Sequence, residues 1–259
     1  MSGLRETIRR RGGLELTSRV VGGLWVVGER TVPEKPSPYN AAATAALKAA
    51  FPTQWPTIRD YGFAHPALVP FINEDPMLVM SLIDGLGTRR LENTSGSYIV
   101  LNLAPLKTDI IRLRVENTTQ AQSSSIFGYY SGLYLQSWRS TISCNGQYAV
   151  NATEIGAVYD ITLDSANFTV NETTKTYSRS NCAGNAALFA FYYNGYTQNW
   201  KGKVEFLNIE RDGAVILEMY PFIRKINGVE TCGMIDVLSG TFYQNAGSGS
   251  FTISETPAS

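Results

Sequence analysis

Histidine is almost missing: His65 stands alone among 259 residues. That excludes a metal site built from several imidazoles and most catalysis that turns on a histidine base. Cysteine is scarce as well. Cys144, Cys182 and Cys232 are odd in number and widely spaced, which excludes zinc-type spacing and a complete disulfide framework. Reduced thiols in a protein folded in a cytoplasm are the simplest reading. Charged residues reach only 17%, and 22 Lys and Arg balance 22 Asp and Glu. The chain therefore lacks the basic excess of a general nucleic-acid binder. It also has little self-repulsion to hold copies apart. No apolar run approaches the roughly 18 residues that span a bilayer. The basic start is not followed by the apolar core of a signal peptide, so no membrane partner is expected. The sequons at Asn93, Asn117, Asn151, Asn167 and Asn171 then read as turn and strand positions.

What is present is apolar content of 44% with 11% aromatics, enough for a real core. Residues 1–18 read as a basic arm. Leu4 and Ile8, four apart and surrounded by Arg5, Arg9, Arg10 and Arg11, predict a short helix closed by Gly12-Gly13 that docks on a partner. Residues 19–78 read as a Pro/Ala-rich attachment or oligomerisation region. Val20–Val27 predicts one or two strands around Gly22-Gly23. Ala41–Ala50 is the strongest helix, with Asn40 as its N-cap and Pro52 beyond its end. Pro52, Pro56, Pro66, Pro70 and Pro76 argue against long elements in 51–76, which must lie over something or be ordered by a partner.

Near residue 79 the texture changes. Proline nearly vanishes and alternation takes over. Ile111–Glu116 alternates apolar with charged residues, as a strand with one buried face does. Ile161–Leu163, Phe168–Val170, Leu188–Tyr193, Val204–Ile209, Val215–Tyr220, Met234–Val237 and Phe251–Ile253 follow. Asp164–Asn167 and Asp212-Gly213 are turn signals. Many short strands at this spacing predict a mostly β protein, an antiparallel sandwich over 79–259 preceded by an irregular Pro-rich region with one or two short helices.

The end of the chain is the most specific stretch. Gly202–Gly213 is followed by Met219-Tyr220-Pro221-Phe222-Ile223-Arg224, Gly233-Met234-Ile235-Asp236, and Gly240-Thr241-Phe242-Tyr243-Gln244-Asn245-Ala246-Gly247-Ser248-Gly249-Ser250-Phe251. It resembles the close of the concanavalin-like (laminin-G-like) jelly-roll modules of phage and prophage structural proteins of gut bacteria. Leu82–Thr88 with Ser97–Ile99 is similar to the opening of that module. Asn171-Glu172 departs from its usual Asn-Gly. The resemblance covers roughly residues 80–254. It implies a virion structural protein, a fibre, baseplate or capsid-decoration component located in the virion. Its partners would be other virion proteins and further copies of itself, a trimer for example. The jelly roll would be displayed for attachment to host cell-surface polysaccharide. A bacterial carbohydrate-binding surface lectin is the alternative.

No chemistry-bearing motif points to an enzyme. Ser137-Trp138-Arg139-Ser140 lacks the glycines of a nucleophile elbow. His65 reads as structural. Cys182 lies in a polar turn and could be exposed, but has no histidine to activate it. A glycosidase needs two carboxylates at a fixed separation. Glu205 and Glu210, five apart, fall on opposite faces of a regular strand. No carboxylate cluster for calcium is evident, so no metal or other cofactor is expected. Sugar binding needs aromatic platforms beside orienting polar groups. Tyr129, Tyr130, Tyr134, Trp138, Tyr192, Tyr193, Tyr196 and Trp200 are the candidates. Tyr196 and Trp200, set among Gly195 and Asn199, lead, with Trp138 and Tyr129 behind them.

Overall fold

A computed structural model describes residues 7–11, 14–21, 24–31, 35–83, 88–94, 96–119, 124–138, 141–150, 153–192, 196–197 and 199–255; the strands of 7–31 and residues 81, 138, 192, 196 and 197 are described by backbone alone. The chain divides into two units, residues 1–38 and Tyr39–Ser259.

The first unit is an antiparallel meander of β1 (Thr7–Arg11), β2 (Leu14–Val21) and β3 (Leu24–Thr31). Register pairs Arg11 with Leu14 and Val21 with Leu24. The two strands expected around Gly22-Gly23 are present as β2 and β3. The short helix expected within residues 1–13 is overturned: Ile8, Arg9, Arg10 and Arg11 lie in β1. Pairing with β2 supplies the backbone partners that one isolated helical turn or two cannot hold against water. Leu4 and Arg5 lie outside the described residues, as do the side chains of Ile8–Arg11.

The second unit begins with α1 (Ala41–Ala50), α2 (Trp55–Ala64), a 3-10 turn at Pro66–Leu68, α3 (Val69–Glu74) and α4 (Leu78–Ile83). The expected N-cap is in place, with the Ala43 amide donating to Asn40 Oδ1 at 2.8 Å. Three of the five prolines of 51–76 start short helices. Pro56, Pro66 and Pro70 each occupy a first-turn position, where the missing N–H has no intrahelical partner to lose.

The strands follow as β4 (Arg89–Asn93), β5 (Ile99–Val100), β6 (Ile110–Asn117), β7 (Ser124–Tyr129), β8 (Leu133–Trp138), β9 (Thr141–Cys144), β10 (Gln147–Val150) and β11 (Val158–Leu163). Next come β12 (Asn167–Val170), β13 (Thr173–Thr176), β14 (Ala187–Leu188), β15 (Phe191–Tyr192) and β16 (Tyr196–Thr197). The chain closes with β17 (Gly202–Arg211), β18 (Ala214–Ile226), β19 (Val229–Asp236), β20 (Phe242–Tyr243) and β21 (Phe251–Glu255). They make two sheets, antiparallel apart from the β7–β15 pair. One runs β10-β9-β8-β7-β14-β5 and carries β15 and β16; the other runs β13-β12-β11-β6-β17-β18-β19-β20 and carries β4 and β21. This is the mostly β sandwich that alternation and turn spacing predict.

Strand parity explains the layering. Leu217 and Met219 on β18 and Met234 on β19 face the other sheet and join Ile111, Leu113, Phe127, Leu135, Ile161 and Trp200 in the main core. Tyr220, Phe222, Ile235 and Val237 take the opposite face and pack under Leu47, Ile58, Leu68, Ile72 and Leu82 of the helices. The cover that the 51–76 stretch needed thus comes from within the chain. Phe242 and Tyr243, adjacent on β20, split the same way, Phe242 toward the helices and Tyr243 toward the sandwich core. Asn245 ties the closing motif to the start of the sandwich: its Oδ1 accepts from the Tyr98 amide at 3.1 Å, and its Nδ2 donates to the Gly249 carbonyl at 2.6 Å. Hairpins at Asn145-Gly146, Asp212-Gly213 and Asn227-Gly228 have positive φ at both turn residues, which matches the twist of the flanking strands.

Candidate functional site

Four aromatic residues lead the expectation for a sugar site, and the structure describes the side chains of two, Trp200 and Tyr129. Trp200 is fully buried. Its ring stacks on Phe189 at 5.8 Å and 21°, and its Nε1 donates to Asn117 Oδ1 at 3.2 Å. It is a core residue, not a platform. Gly195 and Asn199 suggest a loop around it, but Gly202 makes room for the buried ring, since a Cβ there would sit 2.1 Å from the indole. Tyr129 also packs on the main core, its ring lying 2.8 Å from where a Cβ of Gly184 would be. The side chains of Trp138 and Tyr196 lie outside the described residues.

An exposed aromatic stack lies one residue beyond Tyr129. Tyr130, in the turn between β7 and β8, is 48% exposed. Its ring stacks on Tyr134 and on Phe191, each at 5.6 Å and 22°. Phe191 is buried and gives the stack a fixed base. Burial, and after it the neighbouring Tyr130, push the Tyr134 phenol above its ordinary pKa, so it remains a neutral hydroxyl. Beside the stack opens a groove of about 350 Å³ lined by Tyr130, Ser131, Tyr134, Asn145, Ser178, Arg179 and Ser180 among others.

The groove is built by turns that hold one another. Asn145 adopts φ 46°, a left-handed conformation this side chain tolerates. Its Oδ1 accepts from the Tyr134 amide at 2.9 Å, and its Nδ2 donates to the carbonyls of Gly132 at 3.1 Å and Ser178 at 2.9 Å. Ser180 Oγ donates to the Ser131 carbonyl at 3.1 Å. Gly132 allows the close approach, since a Cβ there would stand 2.9 Å from the backbone of Asn181 and Cys182. The β7–β8 turn, the β9–β10 turn and the 178–182 segment are therefore tied together into one rim.

Below the rim, Arg179 is 4% exposed. Its Nε donates to the Lys107 carbonyl at 3.1 Å and its Nη2 to the Asp109 carbonyl, while its Nη1 has no partner. The fully buried Asp109 carboxylate is already taken by Arg211, at 2.8 and 2.9 Å, and by the Leu106 amide at 2.8 Å. That carboxylate's hydrogen bond raises the Arg211 guanidinium above its usual value. Cys182, which its polar turn could have left open to solvent, is 7% exposed, and burial pushes its thiol up to about 11. Burial raises Cys144 further in the same direction.

A larger pocket of about 430 Å³ lies between α3 and the β18–β19 hairpin, lined by Phe71, Glu74, Arg89, Ile223, Arg224 and Lys225 among others. There Arg224 lies 4.8 Å over the Phe71 ring and 3.8 Å from Glu74, so its charge serves the joint between helix and sheet. Among the described residues no exposed aromatic stack lines it.

The outward face of the second sheet corrects the carboxylate geometry. A bulge in β17 between Val204 and Phe206 inserts one extra residue against β6. Glu205 and Glu210 consequently share a face: Glu205 reaches Arg90 and Arg114, and Glu210 reaches Arg112. Glu116 joins them through Arg90 and Lys203. These carboxylates are each committed to cations. His65 caps α2, its ring stacked on Tyr61 at 4.3 Å. Among the described residues no group of three or more His, Cys, Asp or Glu could hold a metal ion. No helix among them is long and apolar enough to cross a membrane.

No protein-family model matches the chain, and no curated protein matches it. Among solved structures, it is similar to a protein of Bacteroides ovatus ATCC 8483 that is proposed to bind carbohydrate. The two are 11% identical with a TM-score of 0.49, and the match covers 66% of this chain and 61% of that one, under two thirds of its length.

Proposed function

We propose that this protein binds carbohydrate through the Tyr130–Tyr134 groove. The observation that carries this reading is the half-exposed tyrosine stack standing over a polar, hydrogen-bonded rim. A pyranose presents an apolar C–H face and a ring of hydroxyls. Flat aromatic faces suit the first, and serine hydroxyls with backbone carbonyls suit the second. A rim fixed before binding reduces the ordering cost that limits weak polar ligands.

The test is a glycan array probed with the full chain. Binding to a subset of glycans is expected, and a blank array would overturn the reading. Tyr130→Ala should weaken any binding about tenfold, the loss of roughly 1.4 kcal/mol of stacking. Its melting temperature should stay near the parent's, because a residue this exposed contributes little to the core. Unchanged affinity in that variant would move the site elsewhere.

A finer reading, a virion component carrying a glycan-binding head, draws support from the closing-motif resemblance and from the separate 1–38 unit. It expects the full chain to sediment as an oligomer, a trimer in the simplest case. A monomer at micromolar concentration would set it aside.

A further inference from the structure

We propose that the groove is one end of a longer site in which Tyr148 is a second aromatic platform, and that the ligand is an extended, uncharged oligosaccharide. This inference rests on the carbohydrate reading and sets the length and charge of the glycan.

Strand parity puts Tyr134 and Tyr148 on one face. On β8, Leu133 and Leu135 join the main core, so Tyr134 between them faces outward. On β9, Ile142 and Cys144 join the same core, and Ser143 faces outward. Register pairs Ser143 with Gln136 on β8 and with Tyr148 on β10. Gln136 is two residues from Tyr134 and shares its face, so Tyr148 shares it too. Ala149, next along β10, is back in the core.

Tyr148 is 49% exposed, as open as Tyr130 at 48%. It is among the groups that push the Tyr134 phenol up, so the two phenols are neighbours. Two strand spacings of about 4.8 Å and two residues of about 3.4 Å place the Tyr134 and Tyr148 Cα atoms roughly 12 Å apart. That is more than one sugar ring spans. The short Ser143 lies between them on β9, so the row of rings that starts at Phe191, Tyr130 and Tyr134 continues across the strands to Tyr148. Gln136, Thr141 and Ser143 are the polar residues that register places beside the rings, and none carries a charge. An extended chain of neutral pyranoses repeats its C–H faces along its length, and so matches rings repeated across a strand face.

The experiment uses the full chain with cello-, xylo- and manno-oligosaccharides, from monosaccharide to hexasaccharide, measured by calorimetry. In at least one series affinity should rise about tenfold between disaccharide and tetrasaccharide, the gain from one further stacked ring. Tyr148→Ala should flatten that rise, and Tyr148→Phe, which keeps the ring, should preserve it. Tyr130→Ala should weaken every length. Affinity independent of length, or a rise that survives in Tyr148→Ala, would overturn the inference and leave the carbohydrate reading standing. Array hits confined to other glycans, with none of these series bound, would do the same. A blank array would overturn both. Should the alanine variant not fold, the length series in the parent decides.

Discussion

Trp200→Ala is expected to destabilise the sandwich by about 3–5 kcal/mol, the usual range for removing a large buried aromatic. The size follows from what the indole holds. It stacks on Phe189, whose own backbone sits at φ 66°, an uncomfortable value for a bulky residue. Phe189 also meets Phe251 at 5.2 Å, so the three rings bring together the middle of the chain and its last strand. Around the indole, the Trp200 amide donates to the Phe189 carbonyl at 2.9 Å, and Asn93 Nδ2 donates to the Trp200 carbonyl at 2.7 Å. Alanine would leave a cavity and remove the ring that keeps Phe189 in place. Asn117 Oδ1 would lose its donor inside the core. Trp200→Phe keeps an aromatic ring but leaves a smaller void and strands that oxygen, so about 1–3 kcal/mol is expected. Urea unfolding followed by circular dichroism measures both. A loss below 1 kcal/mol for the alanine variant would return Trp200 to the surface. The contrast with Tyr130→Ala separates a core aromatic from an exposed one by experiment.

That contrast also marks how far the sequence could be read. Local chemistry was legible wherever one residue decides. Asn40 caps α1, Asp212-Gly213 turns β17 into β18, and Asp164 builds its turn, all from side chains acting within a few positions. The alternation that sets Met219 and Tyr220 on opposite faces was legible for the same reason. The sandwich follows from summing such elements. Three things were not legible. The strand at Thr7–Arg11 needed knowledge of its partner β2. The helical cover needed knowledge that Phe222, Ile235 and Val237 make an apolar face on the outside of a sheet. The platform needed the parity of aromatic residues near turns and bulges, where counting by twos fails. β7 shifts register between Ser125 and Phe127 just before Tyr129 and Tyr130. Arg179 gave no signal, since a lone arginine in a Ser-rich turn reads as solvated. Only the crossing of 105–109 with 178–182 buries it.

The same limit applies to the charged face of the second sheet, and there it gives the other large expected effect. Arg90 lies 8% exposed between Glu116 and Glu205, each also 8% exposed. The three come from β4, β6 and β17, and the β17 bulge is what turns Glu205 toward the arginine. Removing the central cation should cost about 3 kcal/mol, because breaking a buried pair strands desolvated charge. Lys203 still reaches Glu116 Oε1 at 3.2 Å, and Arg114 lies 3.5 Å from Glu205 Oε2, which holds the expected loss for Arg90→Met at that lower end. Lys203→Ala, at a more exposed site with one contact, should cost under about 1 kcal/mol. Salt separates the buried cluster from its neighbour. The Arg112–Glu210 pair, at 40% and 25% side-chain exposure, is open to screening, so Arg112→Ala should cost less as sodium chloride rises. The Arg90→Met loss should hardly change over the same range. Equal losses for Arg90→Met and Lys203→Ala, or a loss at Arg90 that salt erases, would show that the cluster is solvated and that the bulge does not seal it. A large, salt-insensitive loss at Arg90 alone would make that arginine the pin that fixes the register of β4, β6 and β17.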